Sequence, residues 1–269
     1  MATRRPATVL REAFAPGDPV SLDEAAAVLH GDRGRASKAL TYLAESGYFE
    51  KVRQRLWVRV GTSPNPYRLG ARVASPYAFA YGTALALHGA AASPRSEVLV
   101  SSPRRFETFE YDGALYRRAL PWPEGALVKV SVGPEFVWTT TPERTLVDCV
   151  RVPANAGGIA ELLRAISALP RLDGEELLRW VDHYGEANLA ARLGFVLESG
   201  ELTDRDAKLL EELERRRPQA RVYLEPGTRG GRLLQRWKLI VPRHLLFSPG
   251  EETRNEPGLA LPRRLLEED

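Results

Sequence analysis

The sequence predicts an α+β protein in which an N-terminal winged helix-turn-helix is followed by a larger mixed α+β domain. Three observations support this fold class. Helix start and stop signals cluster in the first 47 residues, an arginine-rich hairpin pattern comes next, and strand-like runs then precede a series of helical segments. The expected domains are residues 1–72 and 73–269, because the turn-rich stretch GTSPNPYRLG at 61–70 is the best candidate for a boundary.

Three helices are expected before the hairpin. The first covers about residues 7–15 and ends at a Pro-Gly pair. Ser21 and Glu24 have the spacing of a capping box and precede the apolar run AAAVL, which indicates a second helix. Asp32 can cap a third helix that runs to about residue 46.

The third helix has an apolar side and a polar side. Its small and branched apolar residues fall at helical spacing and should face the first two helices: Ala36, Ala39, Leu40 and Leu43. After it, YFEKV and LWVRV read as two strands joined by a turn at Arg53-Gln54-Arg55. The free helix face and the hairpin tip give the predicted DNA-contacting set: Arg33, Arg35, Ser37, Lys38, Thr41, Tyr42, Arg53, Gln54 and Arg55.

The charge distribution agrees with a polyanionic partner for this segment. Residues 1–72 contain 12 basic and 7 acidic residues, a net charge of +5, whereas the rest of the chain contains 26 basic and 28 acidic residues, a net charge of −2. In a winged helix-turn-helix, the third helix can enter the major groove while a basic wing lies against phosphates. We therefore expect residues 1–72 to bind duplex DNA.

The second domain should contain its sheet first and its helices mostly afterwards. SPYAFAYGTALALHG, residues 75–89, reads as a mostly apolar helix that ends at Gly89, with His88 as a C-terminal cap. Four strand-like runs follow: SEVLVSS, RFETFEYDGALYRRAL with a turn at Asp112-Gly113, ALVKVSV and EFVWTTT. Thr141 and Pro142 should start the helix TPERTLVDCV, and further helices are expected at about 157–168, 173–183, 186–198 and 203–216.

Enzyme signatures are missing from the second domain. A nucleotidyltransferase needs a Gly-Ser turn before a magnesium-binding Asp-x-Asp pair, and the pair Asp204-Arg-Asp206 has no such turn and is interpreted as helix surface. The hairpin carboxylates lack the Glu-x-Lys of restriction-type nucleases. Glu143 and Asp148 are interpreted as helix-start electrostatics and ion pairing, with Asp148 one turn after Arg144. We expect no enzymatic activity and no catalytic residues.

Cofactors, metals and membranes are also not expected. Cys149 is the single cysteine and should be buried, and the four histidines are isolated at positions 30, 88, 183 and 244, so no metal-ligand spacing exists. No apolar run approaches the roughly 18 residues of a membrane span, and the N-terminus lacks a secretory signal pattern. The expected location is the cytoplasm.

Five stretches together resemble the AbiEi family of antitoxins and transcriptional regulators from type IV toxin–antitoxin systems. They are LTYLAESGYFEKVRQRLWVRV, YGTALALHG, TTTPERTLVDCV, LGFVLESG and RWKLIVP, and the resemblance covers about residues 20–247. It implies binding to inverted repeats in the protein's own promoter and opposition to a nucleotidyltransferase-like toxin, with direct toxin contact not assumed. It assigns no catalysis to TPERTLVD and no cofactor.

Two other functions stay open at this point. The N-terminal module could deliver a nucleic-acid-processing enzyme, nuclease or nucleotidyltransferase-like, to its substrate. Bound divalent metal, and loss of activity on carboxylate substitution, would favour that alternative. The module could instead dock onto another protein, in which case partner binding would be insensitive to salt.

Overall fold

A computed structural model describes residues 4–91, 96–120, 122, 124–200, 207–225, 227 and 229–245. The chain has mixed α+β architecture and divides into two compact units. The first unit combines Met1–Phe79 with Arg95–Thr139, and the second combines Ala80–Pro94 with Thr140–Asp269. The predicted domain boundary at residue 72 does not coincide with the boundaries of these units. That residues 1–72 and 73–269 have separate functions stays a prediction.

The N-terminal part of the first unit contains three helices and a three-stranded sheet. Its elements, in chain order, are α1 (Pro6–Ala13), β1 (Pro19–Ser21), α2 (Leu22–Val28), α3 (Arg33–Glu45), β2 (Phe49–Arg53) and β3 (Leu56–Arg59). The sheet order is β1-β3-β2 with both pairings antiparallel. Strand β1 was not expected, because three residues are too few to show an alternating pattern.

Local start signals explain where these helices begin. The Ser21 hydroxyl accepts from the Glu24 amide while the Glu24 carboxylate accepts from the Ser21 amide, which confirms the predicted capping box. The helices then pack through one apolar core formed by Leu10, Val20, Ala25, Ala26, Leu29, Ala36, Ala39, Leu40, Leu43, Phe49 and Trp57. The predicted inner face of α3 is confirmed by this core.

A short helix lies within the predicted linker. Helix α4 (Pro66–Gly70) starts with Asn65 as its N-cap, and its Leu69 is fully buried. Gly70 lies so close to β4 (Ala78–Phe79) that a Cβ there would be 2.9 Å from the Phe79 ring. Residues 66–70 are therefore a packed helix and not part of a linker. The prolines had suggested a turn, but proline also suits the first position of a helix.

The first unit also carries most of a six-stranded mixed sheet. Besides β4 it contains β5 (Glu97–Ser101), β6 (Phe109–Tyr111), β7 (Ala114–Ala119), β8 (Leu127–Val132) and β9 (Glu135–Thr140), in the order β6-β7-β5-β4-β9-β8. The predicted turn at Asp112-Gly113 is confirmed, with both residues at positive φ (50° and 74°).

The helix expected over residues 75–89 is wrong in its first part. Residues Ala78–Phe79 form β4, and helix α5 covers only Tyr81–Leu87, with His88 as its C-cap. The apolar run misled the prediction because a buried strand and a buried helix are equally apolar; pairing of β4 with β5 and β9 decides between them.

The second unit is mainly helical. It contains α5, α6 (Pro142–Arg151), α7 (Ile159–Ala165), α8 (Gly174–Tyr184), α9 (Ala187–Ser199) and α10 (Ala207–Arg216), followed by a small sheet of β10 (Val222–Tyr223), β11 (Arg232–Leu234) and β12 (Leu239–Val241). The predicted Thr141 cap is confirmed, since its side chain accepts from the Arg144 amide at 3.4 Å. None of the helices in the described ranges has the combined length and apolarity needed to span a bilayer.

Candidate nucleic-acid interface

The exposed face of α3 is set by its cap and its core. The Asp32 carboxylate accepts from the Arg35 amide at 2.9 Å, which fixes the first turn of the helix. With Ala36, Ala39, Leu40 and Leu43 buried, the opposite face points to solvent. Helix α3 thus presents a polar surface on a rigidly held element.

Five predicted residues lie on this surface. Arg35, Lys38, Thr41 and Tyr42 are exposed, and Ser37 is half-buried. The Thr41 hydroxyl donates to the Ser37 carbonyl at 3.0 Å, so its oxygen is left to accept from a partner's N–H. The face offers cations and hydroxyl groups, as the sequence suggested, with Thr41 restricted mainly to an acceptor role.

Arg33 differs from its neighbours because it has an acidic partner. Its guanidinium lies 2.7 Å from the Asp23 carboxylate, and both side chains are more than half exposed. Such a solvent-exposed pair contributes little to stability. It does compensate part of the charge of Arg33, which makes this residue a weaker candidate than Arg35 or Lys38.

The hairpin turn is shorter than expected. Arg53 is the last residue of β2, and the turn consists of Gln54 and Arg55, both exposed. Arg55 adopts a positive φ of 64°, and its carbonyl accepts from the Leu22 amide at 3.0 Å. Of the three predicted turn residues, these two lie at the tip.

Arg53 lies against aromatic side chains of its own unit. Its guanidinium carbon is 5.0 Å from the Phe109 ring centroid and 5.7 Å from that of Phe106, and the side chain is half-buried. Burial lowers the pKa of Arg53, an effect that the Glu107 carboxylate opposes. The sequence could not show this, because the two phenylalanines lie more than 50 residues along the chain.

A groove between α1 and α3 brings together side chains that sequence reasoning did not select. Its charged lining residues are Arg5 and Arg11 on the α1 side and Arg35 and Lys38 on α3; Tyr42 and Tyr48 also line it, and its volume is about 600 Å³. The Arg11 guanidinium carbon lies 5.1 Å from the centre of the Tyr48 ring. We call this feature the α1–α3 groove. The net charge of +5 over residues 1–72 was its one signal in the sequence.

An ion-pair network fixes α2 to other parts of the first unit. The Arg72 guanidinium donates to both Glu24 and Glu135 at 2.9 Å, and Arg68 pairs with Glu135 and with Asp18. These arginines are only 15–17% exposed. Partial burial acts to raise the pKa of Glu135, but the hydrogen bonds from Arg72 and Arg68 outweigh it, so this pKa is lowered. The capping carboxylate of α2 is thereby tied to strand β9.

The motif TPERTLVD forms a buried polar cluster in the second unit. The Arg144 Nε donates to Asp148 at 2.8 Å, which confirms the predicted pair, and Tyr184 donates to the other carboxylate oxygen. The Arg144 guanidinium carbon also lies 3.9 Å from the Trp180 ring centre. Both charged residues are nearly fully buried, so this pair is core structure and not helix surface.

Two further motifs of the resemblance meet in the same unit. Trp237, from RWKLIVP, is fully buried and donates to Glu198, from LGFVLESG, at 2.7 Å. A Cβ at Gly194 would lie 2.2 Å from the Trp237 ring, so only glycine fits there. These motifs have a packing role that sequence spacing alone does not reveal.

Two carboxylates of the second domain's strands and helices, Glu97 and Glu143, have protein partners. Glu97 accepts from Arg117 at 2.6 Å, and Glu143 accepts from the Asp173 amide at 3.0 Å. No three His, Cys, Asp or Glu side chains within the described ranges are placed to share a metal ion. The pair Asp204 and Asp206 lies outside the described residues.

Comparison with known proteins places part of this chain in a family. No curated protein matches the sequence. The fold is similar to that of the RV2827C protein from Mycobacterium tuberculosis in its crystal structure, with a TM-score of 0.63, 17% sequence identity, and coverage of 88% of this chain and 90% of that one. At that identity the likeness concerns the fold alone. Residues 77–199 match the family model of the AbiEi antitoxin C-terminal domain. Over residues 77–199 this match confirms the resemblance to AbiEi antitoxins that the sequence suggested.

Proposed function

We propose that this protein is a transcriptional repressor that binds duplex DNA through an N-terminal winged helix-turn-helix and is the antitoxin of a type IV toxin–antitoxin operon. The antitoxin role is supported by the match of residues 77–199 to the antitoxin domain. Its counterpart is a nucleotidyltransferase-like toxin, and no direct contact with it is required by the proposal.

The observation that carries the DNA-binding part is the polar face of α3. Arg35, Lys38, Thr41 and Tyr42 are exposed on a helix whose other face is buried, and Arg55 extends from the tip of an adjoining hairpin. A helix of this kind can enter the major groove, and a basic hairpin can lie against phosphates. DNA with inverted repeats in the protein's own promoter is the proposed ligand.

We propose that the second unit acts by binding and not by catalysing a reaction. Glu143 and Asp148, in the motif of the antitoxin domain, already bind protein groups. A catalytic carboxylate needs access to substrate, and Asp148 is only 4% exposed. The proposal therefore assigns no enzymatic role and no cofactor to this unit.

Two assays in cells test the two halves of the proposal. A reporter gene under the protein's own promoter should be repressed by the wild-type chain and released by the double variant Lys38→Ala/Arg55→Ala. In cells that express the toxin encoded by the neighbouring gene, both the wild-type chain and the double variant should restore growth, because the variant leaves the second unit intact. Arg4→Ala is the matched control, since Arg4 is exposed but paired with Glu12.

Each half has a clear contrary result. Full repression by the double variant at equal protein level would overturn the assignment of α3 and the hairpin tip. Absence of growth rescue by the folded wild-type chain would overturn the antitoxin role. A metal-dependent activity that disappears in Glu143→Gln, with folding retained, would show that the second unit is an enzyme.

A further inference from the structure

The α1–α3 groove has a charge composition that distinguishes it from an ordinary solvated surface. All four of its charged lining residues are cations, Arg5 and Arg11 on one wall and Arg35 and Lys38 on the other. Arginines just outside it are compensated: Arg4 pairs with Glu12 at 3.0 Å and Arg33 with Asp23 at 2.7 Å. Four like charges held around one concavity repel one another, and an anionic ligand relieves that repulsion.

The groove also holds one of its cations in a defined place. The Arg11 guanidinium stacks over the Tyr48 ring at 5.1 Å, and Tyr48 is itself 43% exposed. The Arg11 carbonyl accepts a hydrogen bond from Arg59 of β3, which ties this end of α1 to the sheet. A guanidinium restrained by an aromatic ring loses less side-chain entropy when it binds a phosphate.

We propose that the α1–α3 groove holds the sugar-phosphate backbone of one DNA strand, with Arg5 and Arg11 as phosphate contacts and Tyr48 as a residue that positions Arg11. The inference rests on the proposed function and extends the interface from α3 and the hairpin to α1. Tyr42, which is 60% exposed, and Lys38 lie on both the polar face of α3 and the groove, so the two surfaces are continuous.

The spacing of the cations favours a strand over a small anion. Arg5 and Arg11 are six residues apart, which corresponds to about 9 Å along a helix axis. A DNA strand carries one phosphate per nucleotide step, so cations at this separation can each contact a different phosphate. Cations distributed along a wall suit a row of phosphates, whereas a free nucleotide phosphate requires them to converge on one point.

The test measures salt dependence of DNA binding by the full-length chain. The probe is a fluorescein-labelled duplex of mixed sequence, titrated by anisotropy at several NaCl concentrations. We expect Arg5→Ala and Arg11→Ala each to reduce the slope of log K against log salt by about 0.9, the value for one lost phosphate contact, and the double variant by about twice that. Arg4→Ala removes the same charge without removing a groove contact and should keep the wild-type slope.

A second pair of variants tests the role of Tyr48. Tyr48→Phe keeps the aromatic face under Arg11 and should leave the slope unchanged, whereas Tyr48→Leu should reduce it toward that of Arg11→Ala. Thermal melts of each variant exclude unfolding as the cause. Equal effects of Phe and Leu would overturn the positioning role.

The other outcomes separate this inference from the proposed function. If Arg5→Ala and Arg11→Ala keep the wild-type salt slope while Lys38→Ala reduces it, the proposed DNA contact in the groove is wrong. The proposed contact through the polar face of α3 would not be affected. No binding of any duplex by the wild-type chain at low salt would overturn both. Competition by micromolar ADP or inorganic pyrophosphate, lost in Arg11→Ala, would show that the groove is a small-anion site instead.

Discussion

At the scale of single residues, the burial of Asp148 changes what its substitution should do. The sequence predicted an ion pair with Arg144, and the structure places Asp148 at 4% exposure, with Arg144 and Tyr184 donating to it. Removing one partner leaves a buried guanidinium without its counter-charge. Breaking this ion pair should therefore lower the free energy of unfolding by the amount typical of a buried pair, which is larger than that of an exposed pair.

We expect Asp148→Ala to lower the free energy of unfolding by about 3–5 kcal/mol, measured by chemical denaturation. Glu143→Gln is the matched comparison on the same helix. Its carboxylate accepts one backbone amide at a partly exposed site, so we expect a loss of about 1 kcal/mol or less. Similar losses for the two variants would contradict the description of Asp148 as core.

His88 gives a prediction for pH dependence at the same scale. Its Nε2 lies 2.7 Å from the Thr140 carbonyl oxygen, and burial lowers its pKa below the usual 6.5. Because the folded state then binds a proton less readily than the unfolded state, the contribution of neutral His88 is present above pH 6.5. It is lost as pH falls through the window between 6.5 and the lowered value.

We expect the free energy of unfolding of the wild-type chain to fall between pH 7 and pH 5 more than that of His88→Gln. The glutamine side chain keeps a donor for the Thr140 carbonyl but does not titrate. Denaturation at a series of pH values measures the difference between the two curves. Parallel curves would show that His88 titrates alike in the folded and unfolded states.

At the scale of elements, the β2–β3 hairpin contains two arginines with different surroundings. Arg55 is exposed in the turn, whereas Arg53 packs against Phe106 and Phe109 within the first unit. The sequence treated them as equivalent phosphate contacts. We therefore expect Arg55 to contact DNA and Arg53 to contribute to the stability of the fold.

We expect Arg55→Ala to reduce the salt slope of DNA binding by about 0.9 with unchanged stability. Arg53→Ala should leave the slope nearly unchanged and lower the free energy of unfolding by about 1 kcal/mol, through loss of the cation–π contacts. Anisotropy titrations and denaturation of both variants provide the comparison. The reverse pattern would show that Arg53 leaves its aromatic partners to reach DNA.

At the scale of the whole molecule, the packing of the first unit joins segments far apart in sequence. Glu135, on β9, pairs with Arg68 and Arg72, and Arg72 also binds Glu24 at the start of α2. The elements proposed to bind DNA are therefore supported by residues beyond position 72. A fragment that ends at residue 72 would lack Glu135 and the Phe79 ring that contacts Gly70.

We expect Glu135→Gln in the full chain to lower the free energy of unfolding by about 1.5–3 kcal/mol at neutral pH, because charge-assisted hydrogen bonds to two arginines are weakened. The pKa of Glu135 is lowered in the fold, so its contribution is present above 4.5 and is lost as pH falls through the lowered value. The wild type and the variant should therefore converge in acid. Glu12→Gln, at an exposed pair with Arg4, should change stability by less than about 0.5 kcal/mol.

The sequence by itself determined the features that depend on neighbours within four residues. The Ser21–Glu24 capping box, the Asp32 and Thr141 caps, the Asp112-Gly113 turn and the Arg144–Asp148 pair all occur as predicted. Such features follow from local backbone geometry and from the 3.6-residue helical period, which a single sequence displays directly. The cationic character of the N-terminal segment was equally visible.

Only the tertiary structure decided what depends on distant partners. It made residues 78–79 a strand by pairing them with β5 and β9, buried Asp148 beside Tyr184, placed Arg53 on Phe106 and Phe109, and brought α1 and α3 together as the walls of one groove. Strand pairing, burial and side-chain stacking depend on which remote segments meet when the chain collapses around its core, and no periodicity within a segment encodes that.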